Sequence, residues 1–434
     1  MPTQLKAGAA SVVITPPVGV DLCGFGAREG ASVALHDDLY AGALYLESNL
    51  PLLIMTCDLI GIDDASVAEI RQEISALTAI PAGNIMIGCS HTHSGPATPC
   101  IRSLGKVDQE YFAVLKRKLI GLGKMAFDQR RPAALGYLRE PVAVGINRRT
   151  VKAGQTIIGR NDAGVTAPWA DVISVDTMEG KPIARYFVHA AHAVTLSGLD
   201  ITADWPGYAR RAVEAIYGEG CVAMFGQGCC GNINSDPRGT YEIAEAQGRV
   251  MAGAVAKAAE YCLKEAELTL GCASEVLQLP CFDPPTIEEA EAQLASIRET
   301  AAARENPNRG IAMMDAGDIE WAERILELAK AGATGLTRSF EVQAMRIGDF
   351  GLVGLPGEVF VEYALNMDRA PGYKETATMA YTNGNVGYVP TAAAFGEGGY
   401  EVTHAIRFYG DTMLRPESEQ MIVECGLRLL HNLR

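Results

Sequence analysis

Apolar runs too short to be helices recur along this chain, and stretches of helical period lie between them. The runs are Gly42 to Tyr45, Leu52 to Thr56, Ile85 to Cys89, Val172 to Val175, Cys221 to Phe225 and Leu352 to Leu355. A few apolar residues bounded by turn formers read as a buried strand. Residues 65–77, 109–127, 207–216 and the alanine-rich 240–265 carry apolar side chains at helical spacing. Strands alternating with helices predict an α/β fold, with mixed β-sheets flanked by helices. The 434 residues supply ample core, and the expectation is one large domain over 1–434. Residues 285–333 differ. They are rich in Glu, Ala and Arg and break at Asn306-Pro307-Asn308-Arg309-Gly310, which predicts a helical-hairpin insertion serving as packing, lid or oligomer surface, in that order. Residues 416–433 read as a closing amphipathic helix.

Composition removes several classes of function. Hydrophobic residues are 48% and charged residues 21%, as in soluble globular proteins. A formal net charge of −15 argues against general nucleic-acid binding. The first residues, Met1-Pro2-Thr3-Gln4-Leu5-Lys6, carry no export pattern, and no run of about 18 apolar residues exists for a membrane span. The eleven cysteines are scattered and include no C-x-x-C pair, so free thiols in a reducing cytoplasm are expected. The expected partner is a small-molecule substrate, with no nucleic acid and no stable membrane association; a homo-oligomer stays open.

Chemistry concentrates at strand ends. Ser90-His91-Thr92-His93-Ser94-Gly95-Pro96 follows the strand-like 85–89. Residues i and i+2 of a strand share a side, so His91 and His93 could enter one pocket, as metal ligands or as acid and base. A second pair, His189 and His192, ends the apolar run at Tyr186, and Asp204 follows as either a helix cap or a carboxylate fixing an imidazole tautomer. Leu355-Pro356-Gly357-Glu358 places a carboxylate just past a strand. Asn385-Val386-Gly387-Tyr388 and Gly398-Gly399-Tyr400 set tyrosines after glycines. The small-residue turn Gly226 to Asn234 could bare backbone N–H groups to an anion, although it lacks a P-loop pattern. Each of these last three pieces, taken alone, reads first as an ordinary turn.

Taken in order, these blocks resemble the neutral, non-lysosomal ceramidase superfamily in its N-terminal catalytic domain. The carriers are His91-Thr92-His93-Ser94-Gly95-Pro96, Asn147-Arg148, His189 with Asp204 and Gly207-Tyr208-Ala209, Leu355-Pro356-Gly357-Glu358, and Tyr388 with Tyr400 twelve residues later. The resemblance implies a catalytic zinc ion held by His91, His189, Glu358 and Tyr388. It sets His93, Arg148 and Tyr400 around a reacting carbonyl, and Gly24 in a turn beside the pocket. Arg149 is expected to be a solvated or structural charge, and Asn232 and Asn234 are available to a polar substrate.

Three departures bear on activity. Asn234 stands where the superfamily carries a serine proposed as nucleophile, and Ser235 is one residue late. Neither the β-rich C-terminal domain nor an export signal is expected from these residues. The resulting expectation is a cytoplasmic zinc amidohydrolase using metal-activated water on a small soluble or amphiphilic N-acyl compound rather than ceramide. The alternatives are a lactone or ester hydrolase on the same site, and a non-catalytic binding protein of the same fold.

Overall fold

Each of the six apolar runs falls on a strand, and each helical pattern falls on a helix. The computed structural model describes residues 3–368, 370–410 and 412–434. Helix starts follow side-chain caps that free backbone N–H groups require. Asp63 accepts from the Ser66 N–H ahead of Asp64–Thr78, Asp108 from Tyr111 ahead of Gln109–Asp128, and Thr240 from Ile243 ahead of Tyr241–Tyr261. The predicted insertion is a helical hairpin, Ile287–Ala302 and Arg309–Lys330. Its first helix opens with a capping box of Thr286 and Glu289. Its second opens at Asn308, inside the predicted break.

Two sheets form the centre. The larger has eight strands, in the order Val222–Gln227, Pro182–His189, Trp169–Thr177, Arg131–Pro141, Lys6–Val13, Tyr40–Glu47, Pro51–Cys57, Ile85–Cys89. Its two edge pairings are parallel and its inner ones antiparallel. The smaller sheet orders Leu270–Pro280, Thr337–Ile347, Phe350–Gly354 and Glu375–Met379. One buried layer holds Leu46, Ile54, Met86, Ile173 and Tyr186 of the large sheet together with Met345, Leu352 and Met379 of the small one. The sheets therefore pack face to face. The outer face of the large sheet carries the helices 64–78, 109–128, 204–217 and 241–261; the outer face of the small one carries Val361–Met367 and Ser418–Asn432. The architecture is α/β in four layers, helix–sheet–sheet–helix. No helix among the described residues is long and apolar enough to cross a membrane. Among the described residues the cysteines form no disulfide.

The hairpin joins Leu270–Pro280 to Thr337–Ile347, which pair without a break. Its second helix lies over the loops 21–28 and 101–105. Arg309 binds both oxygens of Asp21 at 2.7 Å, and Met313 Sδ accepts from the Gly105 N–H. A Cβ at Gly310 would lie 2.3 Å from the Gly26 carbonyl oxygen and 2.5 Å from that of Arg28, so only glycine permits the helix's close approach there.

Candidate metal centre

The centre forms where the edge strand Ile85–Cys89 runs out. His91 is not in the strand. Its φ is +58°, in the left-handed region a non-glycine residue rarely enters. The turn is fastened by His91 N–H to the Leu59 carbonyl and by Nδ1 to the Ile60 carbonyl at 2.7 Å. That second bond puts the proton on Nδ1 and leaves the Nε2 lone pair free. His91 and His93 share a pocket, with ring centroids 4.8 Å apart, through this turn rather than through strand alternation.

The second imidazole is His192, not His189. His189 closes its strand with Nδ1 on the Trp169 carbonyl at 2.7 Å. Its ring stands edge-on to Trp205 in a separate cavity beside Asp171. Three residues later the chain has left the sheet, and the His192 N–H bonds the Ile233 carbonyl. Nδ1 of His192 lies 2.7 Å from the Cys230 carbonyl and 2.9 Å from that of Ile233, so its Nε2 is also the free nitrogen. His91, His93 and His192 each bring a ring nitrogen within 4.8 Å of the others. His189 does not join this group. Asp204 touches neither histidine. It accepts from the N–H groups of Thr195, Leu196 and Trp205 and holds the loop that carries His192.

Glu358 faces these rings from a short strand, Glu358–Val359, that follows Phe350–Gly354 and pairs with Tyr388–Val389. Its Oε2 lies 3.4 Å from His91 Nε2 and 3.3 Å from His192 Nε2. Its Oε1 accepts from the Tyr409 hydroxyl. Burial works against the Glu358 charge, yet the facing imidazoles outweigh it and hold the carboxyl well below its usual range. Burial, reinforced by the Arg148 cation, pushes His192 down to about 4. Burial, then the other two imidazoles, lowers His93 as well. At neutral pH Glu358 is thus a carboxylate while His93 and His192 are neutral imidazoles, the forms in which such groups bind a divalent cation. Neither ring nitrogen of His93 has a hydrogen-bond partner, nor does Nε2 of His91. The cavity they border is about 20 Å³, space for one ion or water. The residues present fit a metal ion.

The other expected residues divide. Gly24, Tyr388 and Tyr400 line this cavity with His91, His93 and Glu358. Gly24 has φ +105°, and a Cβ there would sit 2.4 Å from the His93 ring. The Tyr388 backbone pairs with Glu358, and its ring stands edge-on to Tyr400 at 5.8 Å. Its hydroxyl accepts from Arg148 Nη2 at 2.9 Å. Arg148 stands behind Tyr388, outside the cavity lining. Its Nε binds Glu401 at 2.9 Å and its Nη1 binds Asn234 at 3.2 Å. Asn234 therefore positions Arg148. Asn232 spends its amide on Glu362 and its carbonyl on the Val361 N–H, which makes it scaffold at the start of helix Val361–Met367 rather than a substrate contact. Ser235 accepts from Thr195 and stays outside the cavity. Arg149 is not solvated: it is 8% exposed and shares Glu401 with Arg148.

Three participants escaped the sequence reading. Tyr381 stacks on His91 at 3.9 Å, with its hydroxyl 3.5 Å from His192 Nε2. Tyr409 holds Glu358, and Glu401 clamps the two arginines. Only Glu401 had a sequence signal, a carboxylate directly after Tyr400.

The fold is ceramidase-like. The structure of neutral ceramidase from Pseudomonas aeruginosa matches 99% of this chain and 75% of its own at a TM-score of 0.72 and 18% identity. A structure of a ceramidase complexed with C2 matches 100% of this chain and 75% of its own, at a TM-score of 0.75 and 17% identity. No protein-family profile and no curated protein sequence matches the chain.

Proposed function

We propose that this chain is a zinc-dependent hydrolase that cleaves the amide bond of a compact, soluble or amphiphilic N-acyl compound. The observation that carries this reading is the convergence of Glu358 Oε2 on His91 and His192 at 3.3–3.4 Å, with His93 beside them. The ceramidase-like fold supports the bond class. His91, His192 and Glu358 would hold the ion, the three-ligand pattern that leaves a position open for chemistry. When bound there, zinc lowers the pKa of a water toward about 7 and polarises a carbonyl.

The chain's own residues do the rest. The carbonyls of Ile60, Cys230 and Ile233 fix the tautomers that aim Nε2 of His91 and His192 inward. His93, neutral and with both nitrogens unpaired among the described residues, takes the proton of the attacking water and passes it to the leaving amine. Burial pushes Tyr388 and Tyr400 upward, so both keep their phenol protons and can donate to a developing oxyanion. Arg148, donating to the Tyr388 oxygen, makes that phenol a stronger donor. No serine hydroxyl is needed.

Elemental analysis of protein purified without chelator, followed by turnover of N-acyl amines, esters and lactones, tests the proposal. Near one zinc per chain and faster cleavage of a soluble N-acyl amine than of long-chain ceramide are expected. Absence of metal binding even with added zinc overturns the mechanism. Preference for esters or lactones overturns the bond class, and interface-activated ceramide hydrolysis overturns the substrate class.

A further inference from the structure

The centre is too small for what it is proposed to cleave. Its cavity of about 20 Å³ admits a water or an ion. A second cavity, of about 460 Å³, falls within the roughly 300–1,000 Å³ of small-molecule pockets. Its wall is mixed, with Asp63, Arg71 and Asn385 on the polar side and Val67, Val276 and Val386 on the apolar side. Tyr409 is the one residue, among those described, that lines both spaces. Its hydroxyl reaches Glu358 in the small cavity. Its ring lies against Gly387, where a Cβ would come 2.9 Å from the ring carbons and φ is +97°. The ring therefore packs on bare backbone and stands between the wider space and the metal centre.

We propose that the 460 Å³ cavity is the substrate's approach to the centre, taking an amphiphilic N-acyl compound, and that Tyr409 is the partition between the two. This rests on the hydrolase reading above for its substrate class, but the partition itself follows from the two linings. Tyr409 has two separable roles. Its hydroxyl positions Glu358 by engaging Oε1, so that Oε2 is the oxygen turned to the imidazoles. Its ring blocks passage. Among the described residues, the other shared wall is Leu104, which also lines a space of only about 20 Å³ beneath the hairpin, too small for a substrate. Gly24, Ile101 and Leu104 lie on the loops covered by helix Arg309–Lys330, with the Arg309–Asp21 pair pinning that side.

Three variants separate the roles without a known substrate. The readout is the rate at which dipicolinate strips zinc from the loaded protein. Tyr409→Phe loses the bond to Glu358 but keeps the ring. Tyr409→Ala loses both. Ala68→Trp, on the exposed face of helix Asp64–Thr78 that lines the wide cavity, fills the approach while leaving the centre intact. Tyr409→Ala is expected to strip faster than Tyr409→Phe by about fivefold or more, equivalent to about 1 kcal/mol off the barrier. Adding Ala68→Trp to Tyr409→Ala is expected to cancel that gain. Equal rates for Tyr409→Ala and Tyr409→Phe would overturn the partition, and a gain that survives Ala68→Trp would place the entrance elsewhere. Ala68→Trp in the wild-type background checks that the filler alone leaves zinc content unchanged. A wild-type chain that holds no zinc would instead overturn the hydrolase reading, a separate outcome visible before any variant is made.

Discussion

Glu401 offers the sharpest quantitative test. Its carboxylate is 1% exposed and stands between two buried guanidinium groups, with Oε1 2.9 Å from Arg148 Nε and Oε2 2.7 Å from Arg149 Nη1. Glu401→Gln keeps the volume but removes the charge, and it turns an NH₂ donor toward one of two groups that can only donate. Arg148, 4% exposed, is left with the neutral Asn234 and Tyr388. Arg149 keeps the exposed Glu397 at 3.1 Å and the Gly398 carbonyl. Removing one member of a buried ionic group typically costs about 3–5 kcal/mol, because the remaining charge is stranded. The retained Arg149 contacts point to the lower end, about 3 kcal/mol. Urea unfolding followed by circular dichroism and by fluorescence, with coincident transitions as the two-state check, measures this. A loss under about 1 kcal/mol would mean that the triad behaves as an exposed pair and that Arg148 is not held by Glu401. A cycle with Arg149→Met then apportions the coupling between the arginines.

Further outcomes follow from the same geometry. His192→Gln should lose bound zinc while His189→Gln keeps it, as read by elemental analysis; the opposite result would restore His189 as ligand. His93→Gln should retain zinc yet lower turnover by roughly 10²–10⁴-fold, the range of a general acid–base residue. Ser235→Ala should keep most activity, and an acyl group trapped on Ser235 would refute the water mechanism. His189 is held down to about 4 by burial, below the unfolded value near 6.5. The unfolded chain therefore binds the proton first, and stability is lost as pH falls from about 6.5 toward 4, by roughly 2–3 kcal/mol at pH 4.5. Unfolding at pH 7 and 4.5 should show this loss, smaller in His189→Gln.

The parts of the fold legible in sequence are those buried on both faces. Pro51–Cys57 and Ile85–Cys89 are continuous apolar runs, and their helical neighbours carry clear periodicity. The long strands Leu270–Pro280 and Thr337–Ile347 were not legible. Ser274, Glu275 and Gln278, and Arg338, Ser339 and Glu341, interrupt their apolar pattern, and the hairpin separates the two partners in sequence. The site divides on similar lines. His91 and Glu358 could be read because each follows a strand end within a few residues. His192 was passed over for His189 because a three-residue offset becomes decisive only once the backbone leaves the sheet. Tyr381 and Tyr409 could not be singled out, and Glu401 only as a carboxylate beside Tyr400, since their roles depend on partners tens to hundreds of residues away in the chain.

The centre is also a seam. His91 and His192 hang from the eight-stranded sheet and Glu358 follows a strand of the four-stranded one, so the facing donors lie 267 and 166 residues apart along the chain. Contacts so distant in sequence form late, because the intervening loops must be closed first. A chain emerging from synthesis cannot assemble the centre until its last third has docked. Metal capture would then register that docking, and an ion spanning both sheets would favour the docked form by mass action. Chelation should accordingly loosen the contact between the sheets before either unravels within itself, an order that hydrogen exchange on Pro51–Cys57 and Phe350–Gly354 would reveal.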